Sequence, residues 1–154
     1  MIARWIPVVF AVFLIGAGTG QPLVEAAKSA DKDAVRALIQ KKVDVNATEE
    51  DGSTALHWAA YRDDLDSADL LIRAGANVNA ANDLGVTPLW TASLNGSASM
   101  VRKLLAAHAN PNAALLAGET PVMVAARGGY SEVVELLLNK DANVNAHGAR
   151  GSLC

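Results

Sequence analysis

Apolar residues recur at positions i, i+3 and i+4 four times along the chain: Val35, Leu38 and Ile39; Ala68, Leu71 and Ile72; Val101, Leu104 and Leu105; Val134, Leu137 and Leu138. That spacing gathers each trio on one face of a short amphipathic helix. A second helical pattern precedes each trio, marked by adjacent small residues: Ala26 and Ala27, Ala59 and Ala60, Ala92 and Ser93, Ala125 and Ala126. Small side chains there let neighbouring helices approach closely. Two landmarks advance in the same step of 33 residues: Leu23, Leu56, Leu89 and Val122 in the first helix, and Asn46, Asn79, Asn112 and Asn145 after the second. The repeating unit is therefore a helix pair. No single pair can bury its own apolar face, so the pairs are expected to stack into one continuous core.

Polar and conformationally special residues punctuate the same period. Thr54, Thr87 and Thr120 stand where an N-cap of the first helix belongs, and Pro88 and Pro121 follow at the first helical position, where a missing N–H costs nothing. Asp63, Asp64 and Asp66 favour the start of the second helix in their unit through its dipole.

These landmarks, with "TALHWAA", "TPLWTAS" and "TPVMVAA" heading three units and Gly52, Gly85 and Gly118 opening their turns, resemble the ankyrin repeat from Gln21 to Ala146. The resemblance implies an all-α solenoid of helix–turn–helix units joined by β-hairpin-like loops, with repeats at about 21–48, 49–81, 82–114 and 115–147. The family uses glycine for a left-handed turn after the outer helix. Only Gly75 obeys; Lys42, His108 and Asp141 replace it, at about 1 kcal/mol each if they take that conformation. The first unit, with Gln21 for Thr and Val24 for His, looks like an N-terminal cap. Residues 148–154 start an incomplete fifth turn, which leaves the far face of the fourth unit, with Val133 and Leu137, without a polar cover.

Residues 1–20 follow a different pattern. A short start carrying Arg4 leads into an uncharged run from Trp5 through Ile15, then into Gly16, Gly18 and Gly20. A dinucleotide-binding turn would need a glycine at Gln21, and a solenoid supplies no strand–crossover–strand unit to support one. The order fits a signal peptide cut near Gln21, with an earlier cut as a variant, and no cysteine follows for a lipoprotein anchor. An uncleaved anchor is the rival, although about 12–14 apolar residues fall short of the roughly 20 that span a bilayer. The expectation is an exported, bacterial-type protein of the periplasm or medium, without stable membrane insertion after cleavage.

Composition narrows the chemistry. With 51% hydrophobic and 19% charged residues the chain fits a packed domain, and a net charge of −3 with pI near 5.5 gives no basic face for nucleic acid. The single cysteine, Cys154, excludes an internal disulfide framework and a multi-thiolate zinc site. His57, His108 and His147 fall in three different contexts, and the first matches the family's structural histidine. Ser29, Ser53, Ser93 and Ser131 lack a nucleophile-elbow context, and the acidic group from Glu49 to Asp69 lacks calcium-loop spacing. No catalytic residue, metal site or cofactor is expected.

The resemblance then implies a monomeric scaffold that grips a protein partner on its hairpin tips and inner helices. Carried over by position, that surface comprises Tyr61, Arg62, Asp83, Leu84, Leu94, Asn95, Leu116 and Arg127, flanked by Lys28, Glu50, Asp51, Ser53, Val86 and Glu119. Tyr61 and Arg62 are the leading candidates, because aromatic and arginine side chains dominate binding hot spots. Trp58 and Trp90 are expected to pack against neighbouring repeats. The alternative is that this is the repeat-bearing N-terminal part of a longer protein whose remaining region carries an enzymatic or effector activity.

Overall fold

The computed structural model describes residues 21–146. The expected signal segment, residues 1–20, and the expected fifth turn, residues 148–154, lie outside the described residues. Eight helices run through the described part: α1 (Pro22–Lys28), α2 (Lys32–Gln40), α3 (Ala55–Tyr61), α4 (Leu65–Arg73), α5 (Pro88–Leu94), α6 (Ala98–Ala106), α7 (Pro121–Arg127) and α8 (Ser131–Leu138). They form four pairs in two layers. The short odd-numbered helices stack on one another as the inner layer, and α2, α4, α6 and α8 form the outer layer. Between the layers Val24, Leu56, Leu71, Leu89, Met100, Leu104 and Leu137 are buried from solvent, which is the all-α solenoid that the period predicts.

Local chemistry starts the outer helices. Asp31, Asp64 and Ser97 cap α2, α4 and α6 by accepting from the amides of Ala34, Ser67 and Met100. A left-handed residue precedes the N-cap position of all four outer helices, the uncapped α8 included: Ala30, Asp63, Gly96 and Gly129 have φ of 53°, 55°, 68° and 74°. The sequence signal for this joint was faint, because only two of the four are glycines. The turn after the outer helix behaves as expected, with Lys42, His108 and Asp141 at φ of 57°, 67° and 62° beside Gly75 at 94°. Each carries the steric cost of a Cβ in that region.

The asparagine landmarks staple one unit to the next. Asn46 accepts from the Asn77 amide at 2.7 Å and donates to the Gly75 carbonyl at 3.3 Å; Asn79 does the same with Asn110 and His108, and Asn112 with Asn143 and Asp141. A side chain with one acceptor and one donor at its tip is needed there, and asparagine supplies both.

Three hairpin-like loops close alike: the amides of Glu49, Asn82 and Leu115 donate to the carbonyls of Ser53, Val86 and Glu119 at 2.9–3.0 Å. Gly85, at φ 80°, is required twice over, since a Cβ there would meet the backbone of Leu116 at 3.0 Å and of Leu115 at 3.1 Å.

Two expectations need correction. Val133 and Leu137 are 1% and 0% exposed, packed between the two layers; the large apolar residues of the fourth unit that are exposed are Leu116 on its hairpin, with Tyr130, Leu138 and Val144. Helical periodicity placed the first two on the apolar face but could not say which neighbour covers it. Thr120, read as an N-cap, makes no capping bond, and its hydroxyl is buried without a partner.

Candidate interaction groove

Trp58 and Tyr61 lie three residues apart near the end of α3 and therefore share one face of that helix. Their rings meet edge to face, with centroids 5.7 Å apart and planes at 82°, a favoured aromatic geometry. The Trp58 indole N–H donates to Glu49 Oε2 at 2.8 Å. Glu49 also accepts from Lys28, whose Nζ lies 4.8 Å from the centre of the indole ring. The bond to Glu49 holds the Lys28 ammonium above the ordinary lysine pKa, so the cation over the ring is permanent at neutral pH. One large ring is thus fixed by α1, by the first hairpin and by its own helix.

Beside the rings opens a hollow of about 340 Å³, walled by Trp58, Tyr61 and His57 from α3, Thr91 from α5, and Asp51, Ser53, Asn82 and Val86 from two hairpins. Its floor is tied by His57, which is buried. The Thr54 amide donates to Nδ1 at 3.0 Å, with the Thr54 hydroxyl 2.9 Å from the same nitrogen, and Nε2 lies 2.9 Å from the Val86 carbonyl. A carbonyl only accepts and an amide only donates, so the proton sits on Nε2 and the ring is neutral. Burial pushes the His57 pKa below its ordinary value, against the opposing pull of the Val86 carbonyl and Asp51. Asp51 is held below the usual carboxylate range because its oxygens accept from the amide and hydroxyl of Ser53, each at 2.9 Å.

The predicted residues fall into three groups. Tyr61, 58% exposed, stands at the hollow with Asp51, Ser53 and Val86. Asp83, Leu84 and Leu116 are exposed on the hairpin tips, joined by backbone bonds from the Asp83 amide to the Asp51 carbonyl (2.9 Å) and from the Leu116 amide to the Leu84 carbonyl (3.0 Å). The remainder lie at the far ends of the inner helices. Arg62 is the exposed C-cap of α3, and Leu94 is exposed at the end of α5. Asn95 donates to the carbonyls of Ala60 and Tyr61 at 3.3 and 3.1 Å, which fixes the end of the helix that carries Tyr61. Arg127 is paired with Glu119.

Trp58 packs against the core as expected, but it is only half-buried and its other side lines the hollow. The available signal was its place three residues before Tyr61. Trp90 occupies the register of His57 one unit later, and its indole N–H is buried with no partner among the described residues. A second hollow, on the outer layer between α4 and α6, is lined in part by Leu65, Ile72 and Ala106 and contains the Lys103–Asp69 pair at 3.0 Å; it holds none of the predicted residues.

Among the described residues no group of three His, Cys, Asp or Glu side chains can hold a metal ion, and no helix is long and apolar enough to cross a membrane. Family models described as ankyrin repeats (many copies) and ankyrin repeats (3 copies) match residues 23–72 and 62–148. A search of curated proteins found no match.

Proposed function

This chain belongs to the ankyrin-repeat family, and from that premise we propose that it is a non-catalytic scaffold that binds a protein partner along a concave face formed by its inner helices and hairpin tips. Ankyrin repeats generally mediate contacts between proteins. The observation that carries the reading is the preformed Trp58–Tyr61 step, held by Glu49 and Lys28 before any ligand arrives. A site already ordered loses little side-chain entropy on binding, so more of the contact energy is expressed as affinity. Tyr61 supplies exposed aromatic area, and Arg62, which forms no ion pair among the described residues, supplies a free guanidinium.

Replacing Tyr61 and Arg62 together by Ala is expected to weaken partner capture at least roughly tenfold while leaving the thermal midpoint nearly unchanged, because both side chains are exposed. Equal loss of binding and of stability would assign both residues to the fold and sink the reading.

Export belongs to the same proposal, with residues 1–20 as a cleaved signal. The uncharged run from Trp5 to Ile15 followed by small residues supports it. Intact mass of the protein recovered from its source cells decides: a chain beginning at or near Gln21 fits cleavage, and a retained Met1 in the membrane fraction rejects it in favour of an anchor.

A further inference from the structure

The three joined hairpin tips repeat one another's backbone but not their chemistry. The first shows Glu50 and Asp51, the second Asp83 and Leu84, the third Leu116 and Ala117. Glu50 and Asp83 form no ion pair among the described residues, and Asp51 is engaged only by Ser53, which leaves its oxygens further capacity to accept. At the other end Leu84 and Leu116 are 66% and 78% exposed, the two most exposed large apolar side chains of the described chain. Neither contributes much burial to the fold. The rim therefore passes from anionic to apolar, and the Trp58–Tyr61 hollow lies beside its anionic end, with Asp51 in its wall.

We infer that the partner presents an extended peptide segment with an arginine or lysine at one end and a leucine-like side chain at the other, laid along the tips with its cation over Glu50, Asp51 and Asp83 and its apolar end over Leu116. This rests on the groove reading and adds the chemistry and orientation of the occupant. Packed units step by about 10 Å, so three tips span about 20 Å, which an extended chain covers in about six residues. Guanidinium suits the anionic end, because it pairs with carboxylates in a bidentate fork while its flat face lies against an aromatic ring such as Tyr61. Anionic partners, nucleic acid and acidic membrane surfaces among them, meet repulsion at the same place.

The test is panning of a random dodecapeptide phage library on the full chain. Enriched peptides are expected to combine Arg or Lys with Leu, Ile, Met or Phe about four to seven residues away. Their affinity should fall about tenfold with Glu50→Gln and Asp83→Asn together, and several-fold with Leu116→Ser. Among the described residues the side chains of Glu50 and Asp83 form no ion pair, and the bond from the Leu84 amide to Asn82 Oδ1 stays in place, so folding is kept. Peptides that lack a basic residue, and lose binding with Tyr61→Ala but not with the two neutralised carboxylates, would overturn this inference and leave the groove reading standing. Peptides indifferent to all these changes, or no enrichment at all, would overturn both.

Discussion

The second unit is wired to the third through His57, whereas Trp90 holds the same register in the third unit. In the first joint one imidazole receives the Thr54 amide and reaches the Val86 carbonyl of the next hairpin. In the second the indole N–H finds no partner, although Thr87 still caps its helix by accepting from the Trp90 amide at 3.2 Å. One unit further on, Met123 holds the histidine register, and the Thr120 hydroxyl is left buried and unpaired. Backbone and core are nearly indistinguishable across these units; the polar wiring is not. Apolar stacking suffices to define the fold, and the wiring decides how firmly neighbouring units are held. An unpaired buried polar group costs about 1–3 kcal/mol, so the end with Trp90 and Thr120 is the weaker one.

Breaking the wired joint has the largest expected effect. His57→Ala removes two bonds at once and leaves the Thr54 amide without its partner, while the Val86 carbonyl keeps only the Asn82 amide, a loss of about 2–4 kcal/mol in chemical unfolding. Amide exchange at Thr54 should accelerate with it. A loss below about 0.5 kcal/mol would mean that the joint rests on the apolar core alone.

Much of this architecture was legible because a repeat states its pattern several times. The 33-residue step of Leu56, Leu89 and Val122 fixed the helix pairs, and Asn46, Asn79 and Asn112 marked the staples before their partners were known. The candidate surface was less legible. Tyr61 was found by position, but Trp58 was assigned to packing alone, because its fixation beside the hollow depends on Glu49 and Lys28, 9 and 21 residues apart in the contacts that hold them. Such contacts exist only after the hairpin closes. Asn95 shows the converse: a residue at a surface position spends its amide on the carbonyls that end α3. Periodicity reports which face a residue occupies, not which neighbour has already claimed its polar atoms.

Acid should weaken the wired joint in the same way, less completely. His57 is neutral and buried, with a folded pKa below its unfolded value. The unfolded chain therefore takes up a proton first as pH falls, and stability is lost from about pH 6.5 downward until the folded pKa is reached. Above that window the contribution is fully present. Asp51 is depressed as well, but its loss begins only in the carboxylate range, below the pH at which the histidine loss sets in. Unfolding midpoints at about pH 7.5 and about pH 5.5 should thus separate for the wild type and converge for His57→Ala. Equal separation in both would place the titrating group elsewhere.

The smallest effect comes from wiring the joint that lacks it. Met123→His puts an imidazole in the register that His57 holds beside Thr54, where its Nδ1 can take the Thr120 amide and hydroxyl. One hydrogen bond regained is worth about 0.5–1.5 kcal/mol, and the half-buried Met123 gives up some apolar contact, so the net gain is expected near the lower figure. Stability alone is a blunt readout for a change of that size. Amide exchange at Thr120 is sharper: it should slow in the variant at neutral pH and return toward the wild-type rate once the new histidine is protonated, since an imidazolium has no lone pair to offer. If the rate is the same in both proteins at both pH values, the missing histidine is not what separates the two ends of the stack.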